Sequence, residues 1–346
     1  MRKLAIIIIS VLLLATNVSA LEYTAPEAPK EAEEFLPFKS ASFGEDLWYV
    51  IRAAIKSVEP SFAEALKIGV SLIAVVLLVS IVQVFTGVSG QAVHLTSILA
   101  ISTILMRSSQ TMLNYGLETI HSLVDYGKLL LPVITGAMAA QGGMNSSVSL
   151  YAGTIIFSSV LIFVISKIIV PMIYIFITLR IVNNALSETP LKNLSDSIKW
   201  LMTWMLKVVL YVFTGYMGVT GVVSGATDAA AIKVTKLTIS GMVPVVGGII
   251  SDASESILVG VGVMKTAAGT YGLLALMALC VGPFFKVGIH YLILKLTAGI
   301  CAAFGVKESV NLIRDFSAIL GFVLAMIGAI CLMFIVSIVC FMKGFT

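Results

Sequence analysis

The 346-residue chain is 59% apolar and 12% charged, with a mean hydropathy of +1.06 and a formal net charge of +4. Soluble domains carry about a quarter charged residues, so this composition excludes an ordinary soluble globule and implies a polytopic membrane protein. Charge is also uneven: residues 21–65 hold nine acids and four bases, residues 66–346 nine acids and sixteen bases, an acidic head before a basic membrane body.

The chain opens with Arg2 and Lys3, an apolar run over residues 4–15, and the small-x-small triplet Val18-Ser19-Ala20. These are the three parts of a secretory signal peptide, residues 1–20, and the run is short for a spanning helix. Cleavage after Ala20 would leave the mature N-terminus extracytoplasmic; an uncleaved anchor is the other reading. Residues 21–65 then form an extracytoplasmic unit. Residues 21–39, rich in Glu, Pro and Ala, have too few large apolar side chains to offset their ordering entropy and are expected to be a flexible tether. Ser42 and Glu45 have capping-box spacing, and Leu47, Val50, Ile51, Ala54, Ile55 and Val58 recur at helical intervals. They predict one amphipathic helix ending near Pro60, which either rests on the membrane or the body of the protein or docks an extracytoplasmic partner.

Residues 66–126 read as an N-terminal transmembrane region. Residues 68–85 form its firmest span; residues 95–106 are weaker, and residues 108–128, with Glu118, His121 and Asp125, suggest a loop or interfacial helix. Beyond them the chain looks duplicated, with repeats at 127–226 and 227–346. LPVITG from Leu131 is echoed by VPVVGG from Val243, and Pro132 to Pro171 matches Pro244 to Pro283 in spacing. In the first copy, residues 129–140 are too short to cross hydrocarbon and read as a proline-broken half-helix. Residues 148–182 are long enough for one kinked helix or two spans meeting near Lys167 and Pro171. A polar link at 183–196 and a span at 200–223 follow, with Trp200 and Trp204 as interfacial anchors. The second copy repeats this plan, and NLSD at Asn193 and NLIRD at Asn311 occupy matching places. The expected fold class is therefore all-α: a polytopic membrane helix bundle with an internal duplication containing proline/glycine-broken helices.

Duplicated membrane folds place functional surfaces at the repeat interface, on discontinuous helices whose free backbone groups line a cavity. That points to Pro132, Gly136, Pro244, Gly247 and Gly248, although glycine and proline also serve tight helix packing. An intramembrane charge is costly and is a functional candidate by default. Lys167 and Lys286 lie near Pro171 and Pro283, where snorkelling to a surface explains them; Asp252, Glu255, His290 and Lys295 are harder to place and are the candidate cavity-lining residues. The positive-inside rule does not decide orientation, since Lys192 and Lys199 flank one end of a span and Lys233 and Lys236 follow the other. Cys280, Cys301, Cys331 and Cys340 sit in apolar runs and read as small buried hydrophobes. No phosphate loop, HExxH pair or GxSxG elbow is present, and three scattered histidines offer no metal site. Hence no enzyme activity, cofactor or metal is expected, and no basic-aromatic patch points to nucleic acid.

The run KLTISGMVPVVGGIISDASESILVGVGVMK from Lys236 to Lys265, with LLLPVITGAMAA from Leu129 to Ala140, resembles the stage III sporulation protein AE family of endospore-forming bacteria. The resemblance implies a multi-pass protein of the mother-cell membrane facing the forespore. It would be a subunit of a channel or secretion-like complex with other stage III sporulation membrane proteins and a forespore membrane partner, needed for late forespore gene expression. The family supplies no catalytic residues. The repeats and broken helices, taken alone, also fit an autonomous secondary transporter with a cavity at the repeat interface.

Overall fold

The computed structural model describes residues 26–37, 43–86, 91–140, 144–186, 189–219 and 267–343. Among them every regular element is helical, as hydrocarbon demands of a chain whose backbone polar groups find no water there. A short helix α1 (Lys30–Glu33) and the amphipathic α2 (Phe43–Ser57) precede α3 (Glu59–Thr86), α4 (Gln91–Ala140) and α5 (Met144–Phe163). Then come α6 (Val170–Leu186), α7 (Thr189–Val219), α8 (Ala267–Cys301) and α9 (Lys307–Lys343). A π-helical turn, Val164–Ile169, joins α5 to α6 immediately before Pro171. The wider turn accommodates the ring without ending the helix, so α5–α6 is one continuous run. Among the described residues six runs are long and apolar enough to cross a membrane: α3, α4, α5–α6, α7, α8 and α9.

Side-chain contacts fix their directions. Gly116 lies against Val323 and Gly127 against Phe334; the same step separates the contacts on both helices, so α4 and α9 run parallel and in register. Tyr291 packs beside Gly321 and Phe284 beside Gly328, making α8 antiparallel to α9. Ser80 Oγ donates to the Phe304 carbonyl at 3.0 Å while Gly69 faces Ile293 and Thr297, which sets α3 parallel to α8. Thr154 Oγ1 donates to Ser337 Oγ at 2.9 Å and Asn184 Nδ2 to Asp315 Oδ2 at 3.3 Å, so α5–α6 runs against α9. The Tyr216 hydroxyl donates to the Ser149 carbonyl at 2.8 Å and Asp196 meets Arg180, which turns α7 back along α5–α6. The spans therefore alternate in direction through the bundle.

The centre is α9, which packs on α4, α5, α6, α7 and α8. Of its most apolar stretch 72% is buried, against 22% in α3. From Phe316 to Phe341 it carries no charge, and Phe316, Leu320, Val323, Ile327, Phe334 and Phe341 are fully enclosed. A helix apolar on all sides belongs in the interior. Lipid is as apolar as leucine, so these contacts gain mainly from close packing. Gly116 and Gly127 supply it, since a β-carbon at either would overlap its α9 partner. Gly305, at φ +79°, takes the left-handed conformation that lets the short turn Ala302–Phe304 reverse α8 into α9.

Several expectations are corrected. Residues 28–35 are not a free tether: Ala28, Ala32 and Phe35 are buried, and Phe35 lies beside Gly282 of α8. Three small or aromatic side chains suffice because the partner surface is already formed. The amphipathic helix is present and packs on α8 through Val50 and Ala54, with a break at Val58 and Pro60 in the first turn of α3. Residues 95–106, 108–128 and 129–140 are not separate pieces but one helix, α4, continuous through Pro132. The proline ring faces outward while Leu130, Leu131 and Ile134 are buried around it, and that packing offsets the lost backbone bond. Likewise α8 continues through Pro283, and residues 307–315 begin α9 instead of forming a link. The 183–196 link contracts to the junction of α6 and α7. The signal peptide and the Pro244 segment, with Gly247, Gly248, Asp252 and Glu255, lie outside the described residues.

Candidate functional site

Two polar features stand out against the apolar bundle. The first is a junction at one end, where α6, α7 and α9 meet. Arg180 of α6 is buried, pairs with Asp196 of α7, and holds its Nε 3.5 Å from Asp315 Oδ1 of α9. Its guanidinium stands 5.0 Å from the centroid of Phe176. Asn184, one turn on from Arg180, donates to the Arg180 carbonyl at 2.8 Å and to Asp315. The two aspartates come from NLSD and NLIRD, the matching motifs of the proposed repeats, and they converge on one arginine. A planar guanidinium with five donors can serve two carboxylates at once, so this is a three-helix clamp.

The second feature is the outer face of α4. Arg107, Gln110, Asn114, Glu118, His121, Asp125 and Lys128 recur every three or four residues and are all exposed, while Met112, Leu113, Ile120, Leu123 and Val124 face inward. Lys128 Nζ pairs with Asp125 at 3.2 Å. The stripe is about 30 Å long at 1.5 Å per residue. Because α4 and α9 are in register, Arg107 lies level with the charged start of α9 and Glu118, His121 and Asp125 lie level with the middle of its uncharged stretch. Beside it, Lys286 of α8 places its ammonium 4.3 Å from the Tyr115 ring centroid. Lys286 is therefore held in the middle of a helix and does not turn at a surface. Elsewhere the exposed faces of the spans are largely apolar, including Leu78 and Val84 on α3, Ile156 and Phe163 on α5, and Val212 on α7, with Lys167 at the α5–α6 turn and Lys295 on α8 as isolated exposed charges.

Of the expected cavity residues, Pro244, Gly247, Gly248, Asp252 and Glu255 lie outside the described residues, and Pro132, Gly136, His290 and Lys295 do not come together. His290 is buried, its Nδ1 donating to the Lys286 carbonyl at 3.0 Å, with Nε2 buried and unpartnered. Lys295 faces outward and donates to the Tyr291 hydroxyl at 3.1 Å. Pro132 and Gly136 lie towards the opposite end, where Leu130 meets Gly272, roughly 27 Å from His290 along α8. The four cysteines are free and buried, as expected. Among the described residues no group of three or more His, Cys, Asp or Glu is placed to hold a metal ion.

A family model described as stage III sporulation protein AE matches residues 35–344. The chain belongs to this family. It is also similar to "Stage III sporulation protein AE" of Bacillus subtilis (strain 168), 23% identical over 233 residues, which cover 67% of this chain and 58% of that relative. No solved structure matches the chain. For this stage III sporulation protein AE family member, sequence reasoning passed over the Arg180 junction and found the polar stretch of α4 without its place in a span. Arg180 sits in an apolar run and was legible only by its i, i+4 spacing to Asn184. The α4 stripe was legible by its helical period, but its average polarity read as a loop or an interfacial helix.

Proposed function

We propose that the chain is an integral membrane subunit of a sporulation assembly that links mother cell and forespore as a channel or secretion-like conduit, supporting late forespore gene expression. The observation that carries this reading is the family match over residues 35–344 of a chain with six membrane-length helices, one of them polar along its outer face. Membrane context favours one orientation. Lys192, Lys199, Lys307 and Arg314 gather at the Arg180 end, against Lys128 and Lys343 towards the other, and this excess favours a cytoplasmic Arg180 end. The start of α3 then comes from the extracytoplasmic side, which agrees with a secretory signal.

Tagged chain extracted in mild detergent from sporulating cells tests the proposal. Recovery with other stage III sporulation membrane proteins and a forespore membrane partner is the expected result. Recovery of the chain alone, together with stabilisation of the isolated protein by a small solute, would replace this reading with an autonomous secondary transporter.

A further inference from the structure

We infer that the outer face of α4 lines a water-filled passage at bilayer depth, and that the passage admits small hydrated solutes with little preference for the sign of their charge. The inference rests on the conduit reading and names the wall of the conduit. Depth carries it: the register of Gly116 with Val323 and Gly127 with Phe334 places Glu118, His121 and Asp125 beside the uncharged interior of α9, not beyond the membrane. Each ionised side chain facing lipid there would cost about 2.5–3.5 kcal/mol. Such a face is stable against water or a polar partner surface, not against lipid. Every exposed position from Arg107 to Lys128 is polar, while Met112, Leu113, Ile120, Leu123 and Val124 are buried on the other side of the same turns; an amphipathic helix at the membrane surface shares that pattern, and only the depth set by α9 separates the two.

The chemistry of the face sets what it passes. Arg107 and Lys128 balance Glu118 and Asp125, with the amides of Gln110 and Asn114 and the imidazole of His121 between them. A wall lined by one sign concentrates its counter-ions, whereas a balanced wall does not. Lys286, turned to the Tyr115 ring, is engaged in a cation–π contact beside the stripe.

The test is thiol accessibility in full-length protein in native membranes of sporulating cells. Single cysteines replace Gln110, Asn114, Glu118, His121 and Asp125, and Ile156 and Val212 serve as exposed apolar controls. The natural cysteines are buried, and the unsubstituted chain gives their background. Membrane-impermeant methanethiosulfonates, one cationic and one anionic, are expected to modify all five stripe positions and neither control, with rates for the two reagents agreeing within about tenfold. Protection of Glu118→Cys and His121→Cys while the ends react overturns the passage, as does disulfide pairing of these positions between chains, which would make the stripe a seam between copies. A preference for one reagent by much more than tenfold overturns its indifference to charge. Copurification reports separately on the assembly: a labelled stripe in a chain that purifies alone would sink the sporulation conduit and leave the wetted face standing.

Discussion

Arg180 shows how one residue is held and what removing it does. Its side chain is 9% exposed, and Asp315 is 18% exposed but Asp196 52%. Breaking a buried pair leaves an uncompensated charge, at a cost of about 3–5 kcal/mol, whereas an exposed ion pair contributes about 1 kcal/mol or less. Arg180→Ala is therefore expected to lower the unfolding temperature in detergent strongly, Asp315→Asn next, and Asp196→Asn least. Equal losses for Arg180→Ala and Asp196→Asn would mean that α7 carries the clamp. In the sequence Arg180 is a single basic residue near the end of an apolar run, with no motif around it. Its role depends on two carboxylates, one 16 and the other 135 positions away, that only the antiparallel folding of α6, α7 and α9 brings together.

At the scale of elements, the number and kind of helices were legible, and continuity was not. Composition identified helices because the bilayer admits little else, and apolar length located α3, α7 and α9. What failed was the treatment of Pro132 and Pro283 as ends. Proline destabilises a helix locally, but packing against neighbours decides whether the helix stops, and Leu130, Leu131 and Ile134 are buried on both sides of the ring. Pro132→Ala is accordingly expected to raise thermal stability in detergent, by up to about 3 kcal/mol. A fall would show that the proline shapes the helix as the broken-helix reading held. The contact of α4 with α9 makes a second test. Gly127→Ala pushes a methyl group into the Phe334 ring, and overpacking of this kind costs about 1–3 kcal/mol. Phe334→Leu in the same chain should recover part of the loss, since neighbours in contact couple. If the two losses simply add, the helices are not held at this point.

For the molecule as a whole, the question is where the bilayer sits, because the wetted face of α4 and the basic end are both defined against it. The Arg180 junction marks one boundary: above it α9 runs uncharged from Phe316 to Phe341, and below it Lys307 and Arg314 are exposed. Trp200 and Trp204 lie about one and two turns beyond Asp196 on α7, both exposed, with ring centroids 6.3 Å apart. Indole rings favour the headgroup level, so this pair should report the boundary. Trp48 on α2 is the third tryptophan, also exposed, and its replacement by phenylalanine leaves emission from Trp200 and Trp204 alone. In bilayers of brominated lipid, bromines near the headgroup end of the acyl chains should quench that emission more than bromines near the chain terminus. The opposite order would move the junction towards the bilayer centre and carry Arg107 there with it. Glu118 and Asp125 would then approach the far boundary, where charge needs no special explanation, and the wetted face would lose its reason.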